Sequence, residues 1–181
     1  KITISNVGIT NANMTMGANN RIWTYIWNVP SLYNGTAVVT VSGTDLAGNA
    51  YSGTDKITFT VDNIAPTLTI SSPSATQVKN GTNVTYTITY DGADTVTLAT
   101  GNITLNKTGT ANGTVTVSGT GTASRTVTIS NITGDGTLGI SIAAGTASDI
   151  AGNTSAAVGP STTFTVDNTA PTANVPTVTA I

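Results

Sequence analysis

The stretch NVTYTITY, residues 83–90, decides the fold class. Val84, Tyr86, Ile88 and Tyr90 alternate with Thr85, Thr87 and Thr89, so an extended backbone puts the apolar side chains on one face and the threonines on the other. A helix would scatter the same four apolar groups around its axis, and a half-buried strand collects them. Further strands are read at TLTIS (67–71), DTVTLA (94–99), GTVTVSG (113–119), RTVTISN (125–131), TLGISIAA (137–144) and TTFTVDN (162–168). The turn signals Asn80-Gly81, Asp91-Gly92, Asn112-Gly113 and Gly134-Asp135-Gly136 fall among them. The reading is an all-β, antiparallel fold.

Composition agrees and narrows the chemistry. Of 181 residues only 8% are charged, with 19 Gly and a net charge of -2, against about one quarter charged in ordinary globular domains. The six basic residues, Lys1, Arg21, Lys56, Lys79, Lys107 and Arg125, are scattered, giving no patch to track a phosphate backbone, so nucleic acid is not expected as a partner. All eight acids are Asp, and Glu, His and Cys are absent. General acid–base catalysis draws mostly on His, Glu, Asp and Lys, so a chain without His, Glu or Cys has few ways to build a catalytic constellation, and no enzyme is expected. Zinc and copper lose their usual imidazole and thiolate ligands. Asp and Asn in loops suit turn capping or a hard, oxygen-seeking cation such as calcium. No apolar run reaches the ~20 residues of a membrane helix. The chain reads as a soluble segment, with any export signal outside it.

Two phrases recur in order. TVDNIAP (60–66) returns as TVDNTAP (165–171), and TDLAGN (44–49) as SDIAGN (148–153). Asp167 follows Asp62 by 105 positions and Asp149 follows Asp45 by 104, so the chain reads as an internal repeat of about one domain. Residues 64–168 form one complete unit, and 1–63 align with its later part, with KITISN (1–6) over NITLNK (102–107). Residues 169–181 begin a following unit. The predicted architecture is tandem immunoglobulin-like β-sandwich domains in line, because seven short strands fill the complete unit. The first domain lacks its opening strands and needs support from further chain or from a strand donated by a neighbouring copy. Residues 169–181 are one candidate donor, against which Pro176 counts.

The ending TDLAGN or SDIAGN, the last strand ITFTVDN or TFTVDN and the linker IAP or TAP together resemble bacterial Ig-like domains. These are the tandem modules of large surface adhesins, S-layer and other secreted repeat proteins. The resemblance implies an extracellular or cell-surface spacer whose partners are neighbouring Ig-like domains of the same chain and copies of itself in a fibre or lattice. A carbohydrate- or host-protein-binding module is the alternative.

Five features are candidates for a structural or chemical role. Pro66 and Pro171 stiffen the linker by fixing φ and holding Ala65 and Ala170 extended. In a seven-strand sandwich the last strand ends at the pole facing the next domain, which would bring Asp62 and Asn63 towards Asp91, Asp94 and Asp149 as a calcium junction. The competing reading makes these residues strand ends and Asx turns, with Gly48 and Gly152 left-handed. In RIWTYIWNVP (21–30), Trp23, Tyr25 and Trp27 share one strand face, either filling a core, the favoured reading, or stacking on a glycan. The alignment leaves both open: matching Arg21 to Arg125 turns the row inward, and matching Asn28 to Asn131 turns it outward. Sequons at Asn34, Asn83, Asn102 and Asn131, and Lys56 or Lys79 as isopeptide donors, are weaker signals.

Overall fold

The computed structural model describes residues 1–19 and 21–174. The chain divides into two compact units, Lys1–Ile64 and Ala65–Ile181. Both are built from strands, and the one helical element among the described residues is a single 3-10 turn over Thr100–Asn102.

The second unit contains β7 (Thr67–Ile70), β8 (Gln77–Val78), β9 (Val84–Asp91), β10 (Thr95–Val96), β11 (Ile103–Lys107), β12 (Asn112–Ser118), β13 (Ser124–Thr133), β14 (Gly136–Ile142), β15 (Ala147–Ser148) and β16 (Phe164–Val166). One sheet runs β12-β13-β9-β7 and another β11-β14-β16-β8, while β10 and β15 form a short ribbon. Every pairing is antiparallel except β16 with β8, which run parallel with Thr165 opposite Gln77 and Val166 opposite Val78. The alternation in 83–90 is realised as expected: Val84, Tyr86, Ile88 and Tyr90 are buried. With Val127 and Ile129 of β13, they meet Leu138, Ile140 and Ile142 of β14 and Phe164 and Val166 of β16, so side chains from both sheets fill one core. Tyr86 keeps its hydroxyl satisfied by donating to the Thr162 carbonyl at 2.9 Å.

The first unit contains β1 (Ile2–Ile4), β2 (Ile9–Ala12), β3 (Thr15–Met16), β4 (Trp23–Thr24), β5 (Gly35–Val41) and β6 (Lys56–Val61). Its main sheet runs β2-β1-β5-β6, and β3 and β4 form a separate two-stranded ribbon. Its buried core is small, consisting of Ile2, Ile4 and Ala37 with Tyr25, Trp27, Tyr33 and Val39 packed partly against them.

The structure differs from the sequence reading in several strands: β8, β11 and β15 lie where none was expected, and the strand read over 162–168 narrows to Phe164–Val166. The strand expected over 94–99 shortens to Thr95–Val96. The aromatic segment is a strand only at Trp23–Thr24, so Tyr25 and Trp27 are not carried on the regular strand that alternation suggested. The physical reason is pairing: the Thr15–Met16 ribbon offers β4 only two partners, Thr24 and Trp23 opposite Thr15 and Met16, and a strand without a ladder leaves its backbone groups to water.

Candidate functional site

The recurrent words occupy equivalent loops in each unit. In the first, Asp45 Oδ1 accepts the backbone N–H groups of Ala47 at 2.9 Å and Asn49 at 2.8 Å, and Oδ2 accepts from the Asn49 amide at 2.8 Å. In the second, Asp149 Oδ1 accepts the Asn153 N–H at 2.9 Å and Oδ2 its side-chain amide at 2.8 Å. The intervening glycines are left-handed, Gly48 at φ 89° and Gly152 at φ 93°, and each donates its N–H back to the carbonyl of the Asp. The Asp carboxylate thus caps its own loop and holds the Asn four residues downstream, which is why the phrase needs Asp, Gly and Asn in that order.

The second phrase makes a clamp across a hairpin. Asn63 donates its N–H to Asn34 Oδ1 at 2.6 Å and its amide to the Tyr33 carbonyl at 2.8 Å, and Asp62 Oδ1 accepts the Ile64 N–H at 2.9 Å. In the other unit Asn168 donates its N–H to Asp135 Oδ1 at 2.6 Å and its amide to the Gly134 carbonyl, while Asp167 Oδ1 accepts the Thr169 N–H at 2.9 Å. The Asp-Asn pair ends the last strand and locks it to the turn that opens its neighbour. The sequence does not mark Tyr33, Asn34, Gly134 and Asp135 as partners, because each lies about 30 residues from the Asn it holds.

The residues considered for calcium are therefore placed as follows. Asp62 and Asn63 work in the first-unit clamp. Asp94 Oδ2 accepts the Ile150 N–H at 2.9 Å, and Asp149 serves the Asx turn. Asp91 ends β9, opposite Thr67. The paired ribbon β10–β15 brings Asp94 and the Asp149 loop to one place. Among the described residues no group of three or more acidic side chains is gathered as a metal cage.

The aromatic row separates. Tyr25 and Trp27 lie against the small core, with the Trp27 ring 5.7 Å from both Tyr33 and Phe59. Trp23 is 51% exposed and borders a groove of about 660 Å3 that also has Lys1, Met14, Asp45, Asn49 and Tyr51 in its walls. The loop aspartate and asparagine there are already spent on each other. Lys1 meets Asn13, and Lys107 donates to Asn112 at 3.4 Å. Arg125, one of the scattered cations of the sequence, is buried: its guanidinium donates to the carbonyls of Gly121, Ser124 and Val96 at 2.7, 2.9 and 3.2 Å. The donor-strand candidate 169–181 has its first residues, 169–174, in irregular backbone, and 175–181, Pro176 included, lie outside the described residues.

Both loop carboxyls are held below their ordinary pKa, Asp45 first by the Asn49 side-chain hydrogen bond and Asp149 first by that of Asn153. A depressed folded value means stability present above the unfolded value, about 3.9, and lost as pH falls through the folded one. The loops are expected to hold at neutral pH and open in acid below about pH 4. Amide shifts of Asn49 and Asn153 followed by NMR should titrate there, and the Asp45→Asn and Asp149→Asn variants should not. Loop shifts that stay fixed down to pH 2 would remove this role.

Compared with protein-family models, curated proteins and solved structures, the chain matches none.

Proposed function

We propose that the chain is a structural spacer, part of a stalk made of repeated immunoglobulin-like modules in a cell-surface or secreted protein. The observation that carries this reading is the duplicated register. Gly35, Thr36 and Ala37 oppose Val61, Thr60 and Phe59, as Gly136, Thr137 and Leu138 oppose Val166, Thr165 and Phe164. Ile2, Thr3 and Ile4 oppose Val41, Thr40 and Val39, as Ile103, Thr104 and Leu105 oppose Ile142, Ser141 and Ile140. The Asp-Asn clamps recur on the same strands. The second unit's strand order supports an immunoglobulin-like topology: β7-β9-β13-β12 corresponds to strands A, B, E and D, and β11-β14-β16 to C, F and G, with β8 added along the outer edge.

In such a module the repeated words serve construction. Their carboxylates and amides are engaged in turns and hairpin clamps, and the chain offers no His, Glu or Cys for proton transfer or nucleophilic attack. The partners are then adjoining modules and further copies in an adhesin, S-layer or filament setting, and calcium would act only to stiffen.

A second reading, glycan or host-protein binding, is favoured by half-exposed Trp23, which lines the 660 Å3 groove together with Tyr51. The full chain probed on a glycan array, in calcium and in chelator, separates the two. The spacer reading expects no saturable binding in either buffer and the same melting temperature in both. A glycan hit lost in Trp23→Ala would replace it with the second reading, and melting that falls on chelation would restore a bound cation.

A further inference from the structure

Phe59 and Phe164 hold the same register in equivalent strand pairs, yet Phe164 is 1% exposed and Phe59 36%; Val41 is 40% exposed where its counterpart Ile142 is 2%. The difference is cover. In the second unit β9 and β13 bring Val84, Tyr86, Ile88, Val127 and Ile129 into the core that holds β14 and β16. In the first unit the sheet face carries instead an apolar groove of about 430 Å3, whose walls include Ile2, Ile4, Val39, Phe59 and Trp27. A second vacancy adjoins it. The outer edge of β16 is paired in parallel by β8, whereas among the described residues β6 ends its sheet, with β5 as its partner on the other side. An unpaired strand edge next to an apolar face is the arrangement that β-strand addition uses.

We propose that this face and edge of the first unit form a docking site for one extended strand segment with the pattern of residues 64–92. The second unit shows a single contiguous segment meeting both needs: Gln77–Val78 takes the edge, and Val84–Asp91 supplies alternating apolar side chains to the face with threonines pointing away. The occupant's chemistry follows from the site. It must be uncharged at alternate positions, carry Val, Ile or Tyr inward, and present a free N–H and C=O ladder to β6. It also needs a lateral partner, as β9 has in β13, and the first unit holds one in reserve. RIWTYIW, 21–27, has strand alternation but forms a strand at Trp23–Thr24 alone. A docked segment would complete that strand and enclose Trp23, Tyr25 and Trp27, which already line the groove. This rests on the repeat reading above, and its test is independent of any glycan.

The test adds a synthetic peptide of residues 64–92 to the full chain. Both tryptophans of the chain, Trp23 and Trp27, lie in the first unit, so indole emission reports that unit alone. The expected result is a saturable blue shift at peptide concentrations on the order of 10 μM, with new amide-exchange protection at 22–28 and 56–61. A control peptide with Val84, Tyr86 and Ile88 replaced by Ser should bind at least about tenfold more weakly. Phe59→Asp in the full chain should abolish the shift, and the control peptide keeps the test decisive if that variant misfolds. No shift, or equal binding of both peptides, overturns the proposal. So does sedimentation showing that the full chain alone dimerises with protection of 56–61, which would make a second copy, face to face, the occupant.

Discussion

Replacing Phe164 by Ala is expected to destabilise the second unit by about 3–5 kcal/mol, the range for truncating a fully enclosed aromatic side chain. Phe164 sits in a core that also buries Leu138, Ile140, Tyr86 and Val166, so the vacated space has close-packed walls and little freedom to collapse. The same change at Phe59 should cost only about 1–2 kcal/mol, because its ring is partly in water already and loses less apolar contact. The pair isolates enclosure from residue type, since both phenylalanines hold one register. Urea unfolding read by far-UV circular dichroism reports chiefly the larger unit, and indole emission reports the first. For a unit of total stability about 5–15 kcal/mol, the Phe164 variant should shift its midpoint markedly while indole emission is unchanged. Equal costs at the two positions would mean that the first unit's face is covered in solution.

The strands that carry this core were legible because period-two alternation is a local signal that survives without tertiary information. Residues 83–90 became Val84–Asp91, and 113–119 became Asn112–Ser118. Gln77–Val78 was not legible: two residues cannot display alternation, and its parallel pairing to β16 depends on a partner 88 positions away. The aromatic run failed in the opposite direction. Its alternation is as clear as that of 83–90, but alternation states only what a strand would bury, and a strand forms where a neighbour completes its ladder. The site divides along the same line. The Asx turns at Asp45 and Asp149 were readable, their partners being four residues away, whereas the clamps of Asn63 and Asn168 reach across a hairpin whose register only the folded sheet sets. The burial of Arg125 was likewise invisible to a reading of charge spacing.

The second large effect concerns a glycine. Gly136→Ala is expected to cost about 4 kcal/mol or more, a size reached only when a substitution meets a specific obstruction. Gly136 opens β14 with φ 141°, and a Cβ built there would lie 2.2 Å from the Thr108 carbonyl oxygen and 2.9 Å from its carbon. Thr108 cannot withdraw without loss, since its N–H donates to the Thr137 carbonyl at 3.0 Å and its hydroxyl accepts the Thr137 N–H at 2.9 Å. The counterpart Gly35 has φ 129° with nothing within 4 Å of the added carbon. Gly35→Ala therefore meets conformational strain alone, about 1–3 kcal/mol. Circular dichroism of Gly136→Ala should show the second unit largely unfolded at moderate urea, while Gly35→Ala shifts the indole transition only modestly. If the two substitutions cost the same, the collision with Thr108 has been relieved by movement of the 108–110 segment. The Asp135–Asn168 clamp beside it would then be the first contact to lose its amide protection, because Asp135 sits between Gly134 and Gly136 and moves with them.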